Sequence, residues 1–148
     1  MKKNGFTLVE LMITVTVVAI LAMIAIPSYT QYIRRGNRTD ATKTLTLDAQ
    51  ALERCYSQSF SYVPCVGVPA AGVATTSVEG KYTVTISIPD TSAGAPPAPA
   101  PSYLITAVPV GSQVGDTDCA TFTLNTTNTQ YAQTSAAVPN TQVCWGST

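Results

Sequence analysis

Two features of this 148-residue chain could carry chemistry: a lone carboxylate inside an apolar run, and four cysteines. The stretch "GFTLVELMITVTVVAILAMIAIPSY" holds one ionisable side chain, Glu10, four positions after Phe6. An ionised acid at bilayer depth is costly unless it is paired or close to the interface, so Glu10 is a candidate functional residue. Cys55, Cys65, Cys119 and Cys144 are even in number and follow an apolar N-terminal segment. That is the pattern of two disulfides formed in an oxidising compartment. Of the three connectivities open to four cysteines, the two local loops are favoured, Cys55 with Cys65 and Cys119 with Cys144. In the chain-entropy account the larger loop adds about 3 to 4 kcal/mol. The chain has no histidine, which rules out Ser-His-Asp and Cys-His systems, and the cysteine spacing does not give the short pairs that grip zinc. Asp116 and Asp118 read as a solvated turn, since calcium asks for about six to eight oxygens. No catalytic residue, metal or cofactor is expected.

These residues must be positioned by a single domain with one core, the usual content of a chain this long. Between Tyr29 and Arg54, Arg34, Arg35, Arg38, Lys43 and Arg54 outweigh Asp40, Asp48 and Glu53 by two charges. From Cys55 onward Lys81 faces Glu79, Asp90, Asp116 and Asp118, a balance of minus three. Such a body lacks the clustered cations and stacking aromatics of a nucleic-acid surface, and DNA binding is not indicated.

Residues 6–26 make 21 positions with Glu10 as the sole charge. As a helix they measure about 32 Å, the hydrocarbon thickness of a bilayer. Three readings fit. The segment is a spanning helix; or it is a secretory signal with Lys2 and Lys3 as the charged region and a cut near Ala22 or Ala25, in which Glu10 sits awkwardly; or the cut falls after Gly5 and leaves the apolar segment on the mature chain. Cations flank both ends, so the positive-inside count does not orient it.

"GFTLVELM" followed by an apolar run to "AIPSY" resembles the class III signal of type IV prepilins. "ALERCYSQSFSYV" is similar to the helix end of PilE-type pilins, and "CATFTLN" with the closing "CW" to their C-terminal disulfide region. The resemblance implies cleavage by a prepilin peptidase between Gly5 and Phe6 and N-methylation of Phe6. It gives Glu10 a partner: the Phe6 amine of a neighbouring subunit, or its own, inside a filament core. It implies an α+β, type IV pilin-like fold, a long N-terminal helix packed on an antiparallel sheet of about four strands. In such pilins the segment ahead of the proline commonly melts on assembly, helped by a glycine at the position of Ala19; alanine here favours the helix.

The domain expectation is a leader over residues 1–5, a transmembrane or filament-core helix over 6–28, and a globular domain over 29–148. Pro27 is a kink site, and "RRGNR" lowers helix propensity. Beyond it Ala41, Leu45, Ala49, Leu52 and Tyr56 recur at steps of three and four, an apolar stripe that carries the helix to about residue 56. Residues 6–56 would then make a rod of about 75 Å. "KYTVTISI" alternates as a half-buried strand, and "SYLITAVPV", "CATFTLN" and "TQYAQT" read as three more. Residues 57–80 read as a loop, and 89–101 as an extended proline-rich connection. Arg34, Arg35 and Arg38 lie just beyond the span, placed for lipid headgroups or for pairing between subunits with acids such as Asp40, Asp48 and Glu53.

The leading function is a structural subunit of a type IV pilus, an inner-membrane precursor that becomes part of an extracellular filament with identical or related subunits. The resemblance ties such filaments to surface adhesion, twitching motility and DNA uptake. A minor pilin or a type II secretion pseudopilin is the alternative within the class. A monomeric membrane-anchored binding module, which would keep its leader and tolerate Glu10→Ala, is the alternative outside it.

Overall fold

A computed structural model describes residues 6–63, 65–88 and 102–146. Gly5, and with it one side of the expected cleavage point, lies outside the described residues, as does the proline-rich connection at 89–101.

A single long helix, α1, runs Leu8–Ser59. Thr7 starts it: its hydroxyl oxygen accepts the Glu10 N–H at 3.3 Å, satisfying one of the donors that every helix N-terminus leaves open. The helix ends where Phe60 turns to φ 53°. It therefore passes the expected end near residue 56 by three positions, and Gly36 and Asn37 do not break it. Burial of Ala41, Leu45, Ala49 and Leu52 just beyond them outweighs a propensity cost of about 1 kcal/mol for glycine.

The chain forms two compact units, Met1–Arg35 and Gly36–Thr148. In the first, the described residues are the part of α1 up to Arg35 and its lead-in, with apolar side chains on every face. In the second, five antiparallel strands in the order β1-β2-β3-β4-β5 form one sheet. They are β1 (Ala74–Thr76), β2 (Tyr82–Ser87), β3 (Leu104–Pro109), β4 (Thr121–Asn125) and β5 (Gln130–Gln133). The expected sheet of about four strands gains β1, inside the segment read as a loop. Three residues are too few to show alternation, and β1 exists through its pairing of Thr75 with Val84.

Register explains the two faces. Val84, Ala107, Phe122 and Ala132 lie opposite one another across β2 to β5 and are all fully buried. One step along, Thr85, Thr106, Thr123 and Tyr131 form the row on the other face, as a period of two requires. The buried row joins Leu45 and Leu52 of α1 in one core. A 3-10 turn at Gly111–Gly115 follows β3, and a short helix α2, Thr141–Trp145, closes the chain against β5.

Candidate assembly site

Each side chain of the apolar segment is solvent-exposed or nearly so: Phe6, Leu8 and Met23 are more than 70 % exposed, and no residue of its most apolar 18-residue window, mean hydropathy 2.6, is buried. The helix is long and apolar enough to cross a membrane. An all-round apolar helix has to be covered by lipid or by protein. Glu10 sits in its first turn, where the positive end of the helix dipole favours a carboxylate. Thr7 and Glu10 have the T-x-x-E spacing of a capping box, a signal present in the sequence that pointed to a cap as well as to assembly. Pro27 lies inside α1 and cannot donate to a preceding carbonyl; its own carbonyl accepts the Thr30 hydroxyl at 2.8 Å.

Within the second unit, α1 is fastened to the sheet region by two polar clusters. Arg38 grips Asp116 bidentately, Nε and Nη2 each donating to one carboxylate oxygen at 2.7 Å. Both residues are buried, and the exposed Asp118 stands 3.8 Å from Nη2. Gln113 completes the cluster: its amide N–H donates to Asp116 and to the Tyr82 hydroxyl at 3.1 Å each, and its carbonyl accepts from Asn37 at 3.1 Å. The hydrogen bond to Asp116 raises the Arg38 pKa against the opposing effect of burial. Burial pushes the Tyr82 phenol up to about 12. Asp116 is thus part of a buried ion pair and not a solvated turn, and Arg38 is spent within its own chain. No local signal marked this pair, because its members are 78 residues apart.

Asp40, one turn from Thr44 on the same helix, makes the second cluster. Its carboxylate accepts the Ser77 hydroxyl, the Glu79 N–H at 2.9 Å and the Lys81 N–H at 3.1 Å, pinning the turn between β1 and β2. Gly80 in that turn has φ +72°, a conformation that favours glycine. Asp40 is 1 % exposed and therefore not available to a neighbouring subunit.

Cys55 is joined to Cys65, with 5.8 Å between Cα atoms, and Cys119 to Cys144, with 5.7 Å. The first bond ties the end of α1 to the loop that follows, and the second ties the approach to β4 to α2. Beside the first, Tyr62 stacks on Tyr56 and meets Tyr103 edge-on. The Tyr62 phenol donates to Glu53 at 3.3 Å, and burial, then Glu53, push its pKa up to about 12. Tyr103 also hydrogen-bonds Glu53, and burial raises its pKa further. Among the described residues no group of His, Cys, Asp and Glu is arranged to hold a metal.

An all-round apolar helical segment in the first unit, and in the second a helix packed on a disulfide-stapled antiparallel sheet, define a pilin-type subunit. Residues 27–123 match the family described as "Type IV minor pilin ComP, DNA uptake sequence receptor", which is more than half of the chain, so the chain belongs to that family. Residues 1–26 match the "Prokaryotic N-terminal methylation motif". The family and fold are structural and non-enzymatic. Similar curated proteins include "Fimbrial protein EcpC" of Eikenella corrodens, 39 % identical over 80 residues that cover 54 % of this chain and 50 % of that one. "Prepilin peptidase-dependent protein D" of Escherichia coli (strain K12) is 38 % identical over 66 residues, 45 % of each chain. The chain thus spans about half the length of the curated relatives it matches. A solved type IV pilin from Shewanella oneidensis aligns with TM-score 0.46 and 27 % identity, covering 66 % of this chain and 89 % of that one.

Proposed function

We propose that this chain is a structural subunit of a type IV pilus, held as an inner-membrane precursor, cut between Gly5 and Phe6 by a prepilin peptidase, and assembled with other pilin subunits into a surface filament. The observation that carries this reading is the helix surface over residues 6–33, apolar all round and unburied, with Glu10 as its only acid. Lipid covers such a surface before assembly, and the same segments of other subunits cover it afterwards. Removal from lipid into a protein core makes an unpaired Glu10 costly, and the methylated Phe6 amine of a neighbour supplies the compensating charge. The domain division follows: a leader over 1–5, a filament-core helix over 6–28, a displayed body over 29–148. The test is the intact mass of the chain in filaments sheared from native cells. A species beginning at N-methylated Phe6, lighter by four hydrogens for its two disulfides, is the expected result. A chain that stays in membranes with its leader, or is cut near Ala25, overturns it.

The family description favours a second reading, a receptor for DNA. The residues of this chain support it less. Residues 36–148 carry four cations against seven acids, and one of the four, Arg38, is buried against Asp116. Phosphate binding needs cations free to release counterions. Retardation of duplex DNA by the full chain in detergent, weakening steeply with salt, would establish receptor activity; no retardation at low salt leaves the structural role.

A further inference from the structure

Three acids on α1 stood as candidates to pair with the arginines beyond the apolar segment, and the structure separates them. Asp40 is buried and satisfied by Ser77, Glu79 and Lys81. Glu53 accepts from the tyrosine cluster. Asp48 is different: it is half-buried at the margin of the packed stripe, and among the described residues its carboxylate has no hydrogen-bond or ion-pair partner. Its neighbours one turn away on α1, Thr44, Leu45, Ala51 and Leu52, carry no charge that could compensate it. Burial alone raises its pKa. The exposed acids Glu79 and Asp118 are hydrated, and Asp118 already has Arg38 beside it, so neither demands an external cation.

On the cationic side Arg38 is consumed by Asp116. Arg35 is exposed and lies two residues beyond Ile33, at the end of the surface that assembly would bury. Whatever brings the apolar segments of several copies together carries Arg35 alongside the helices of those copies. We propose that Asp48 is the docking point for Arg35 of a second copy of this chain, a contact that rests on the pilus reading and supplies it with a second, outer register lock. Arg35 and Asp48 are separated by thirteen residues, so two parallel helices make the contact at a stagger of about 20 Å, against about 6 Å for Glu10 with the neighbouring Phe6 amine. The two locks therefore engage different neighbours, and together they fix the axial repeat more tightly than either alone.

The test uses the full-length chain in native cells. Arg35→Glu and Asp48→Arg are each expected to strip most of the chain from the sheared filament fraction while leaving its membrane level unchanged, and the double exchange is expected to restore it. A chain carrying Arg35→Cys and Asp48→Cys, oxidised in the filament, is expected to yield cross-linked multimers; this readout needs no charge reversal and holds if a reversed variant fails to accumulate. Single variants that assemble like the wild type, or a double exchange as poor as the singles with no cross-linking, overturn the proposal. Wild-type chain missing from filaments removes the pilus reading and this contact with it, whereas wild-type filaments indifferent to both substitutions remove the contact alone.

Discussion

Arg38 and Asp116 form a buried, two-pronged ion pair, with both N–O distances at 2.7 Å, between helix α1 and the turn that follows β3. Both residues are buried, and each is the other's nearest charge, with the exposed Asp118 farther off at 3.8 Å from Arg38 Nη2. Removing one partner leaves an uncompensated buried charge, which costs about 3 to 5 kcal/mol, while replacing both by apolar groups of similar volume is often neutral. Asp116→Asn and Arg38→Met are accordingly expected to lose about that much stability, and Arg38→Met with Asp116→Leu to recover much of it. Urea unfolding of the full chain in detergent micelles, followed by near-ultraviolet circular dichroism, decides the matter. Single variants within 1 kcal/mol of wild type would show the pair to be dispensable.

The Asp40 carboxylate holds the turn between β1 and β2 through two backbone N–H groups and the Ser77 hydroxyl. Asp40→Ala takes the acceptor from the Ser77 hydroxyl and the part-buried Glu79 N–H, while the Lys81 N–H keeps the Ser77 hydroxyl oxygen at 3.1 Å, an expected cost of about 1 to 3 kcal/mol. Hydrogen exchange should show where the loss falls: the Glu79 amide gains exchange while the β3 and β4 amides keep their protection, unless the turn is held by something else.

Much of this architecture is legible in the sequence because it rests on local patterns. The stripe from Ala41 to Tyr56 has helical spacing, and the alternation from Tyr82 to Ile88 has the period of a strand with one buried face. Strand β1 and the end of α1 were not legible: a strand of three residues has no period, and the last turn of a helix is set by the packing of Tyr56, Phe60 and Tyr62 more than by propensity. The partners of Arg38 and Asp40 were hidden for a different reason. They lie 78 and 37 or more residues away, and charge alone does not tell an arginine bound for lipid from one bound for a distant aspartate.

Alkaline pH should expose the buried tyrosines. Tyr62 and Tyr82 are each raised from 10.0 to about 12 in the folded chain, chiefly by burial. Both are neutral on either side of the folding equilibrium below pH 10, so their contribution is fully present there. Between about pH 10 and 12 the unfolded chain loses these protons first, and stability falls with rising pH. A late stage of phenolate absorbance should therefore accompany unfolding, carrying Tyr62, Tyr82 and Tyr103 together. A single stage near pH 10 would mean that Tyr62 and Tyr82 are solvated.

The two disulfides close loops of different length, 10 residues for Cys55 with Cys65 and 25 for Cys119 with Cys144. In the chain-entropy account their contributions are about 2.7 and 3.5 kcal/mol. Replacing the second pair by serines is expected to lower the urea midpoint more than replacing the first. The second bond is also the more buried, since Cys119 and Cys144 are core residues, and the serine hydroxyls left behind would add to the loss. The reverse order would place most of the constraint at the end of α1.

Glu10 has two roles that substitution can separate. Its backbone N–H donates to the Thr7 hydroxyl oxygen and helps to start α1, while its carboxylate is the proposed partner of the Phe6 amine. Glu10→Gln keeps the backbone bond and nearly the same shape but removes the charge. Thr7→Ala keeps the charge but removes the cap, at about 1 kcal/mol of helix stability. If the carboxylate serves assembly, Glu10→Gln accumulates in the membrane and drops out of sheared filaments, while Thr7→Ala still assembles. If its role is only to cap the helix, both variants assemble, and amide exchange at Leu8 to Leu11 speeds up more in Thr7→Ala than in Glu10→Gln. Comparing filament yield with exchange in the same pair of variants therefore tells a structural carboxylate from one that holds two subunits in register.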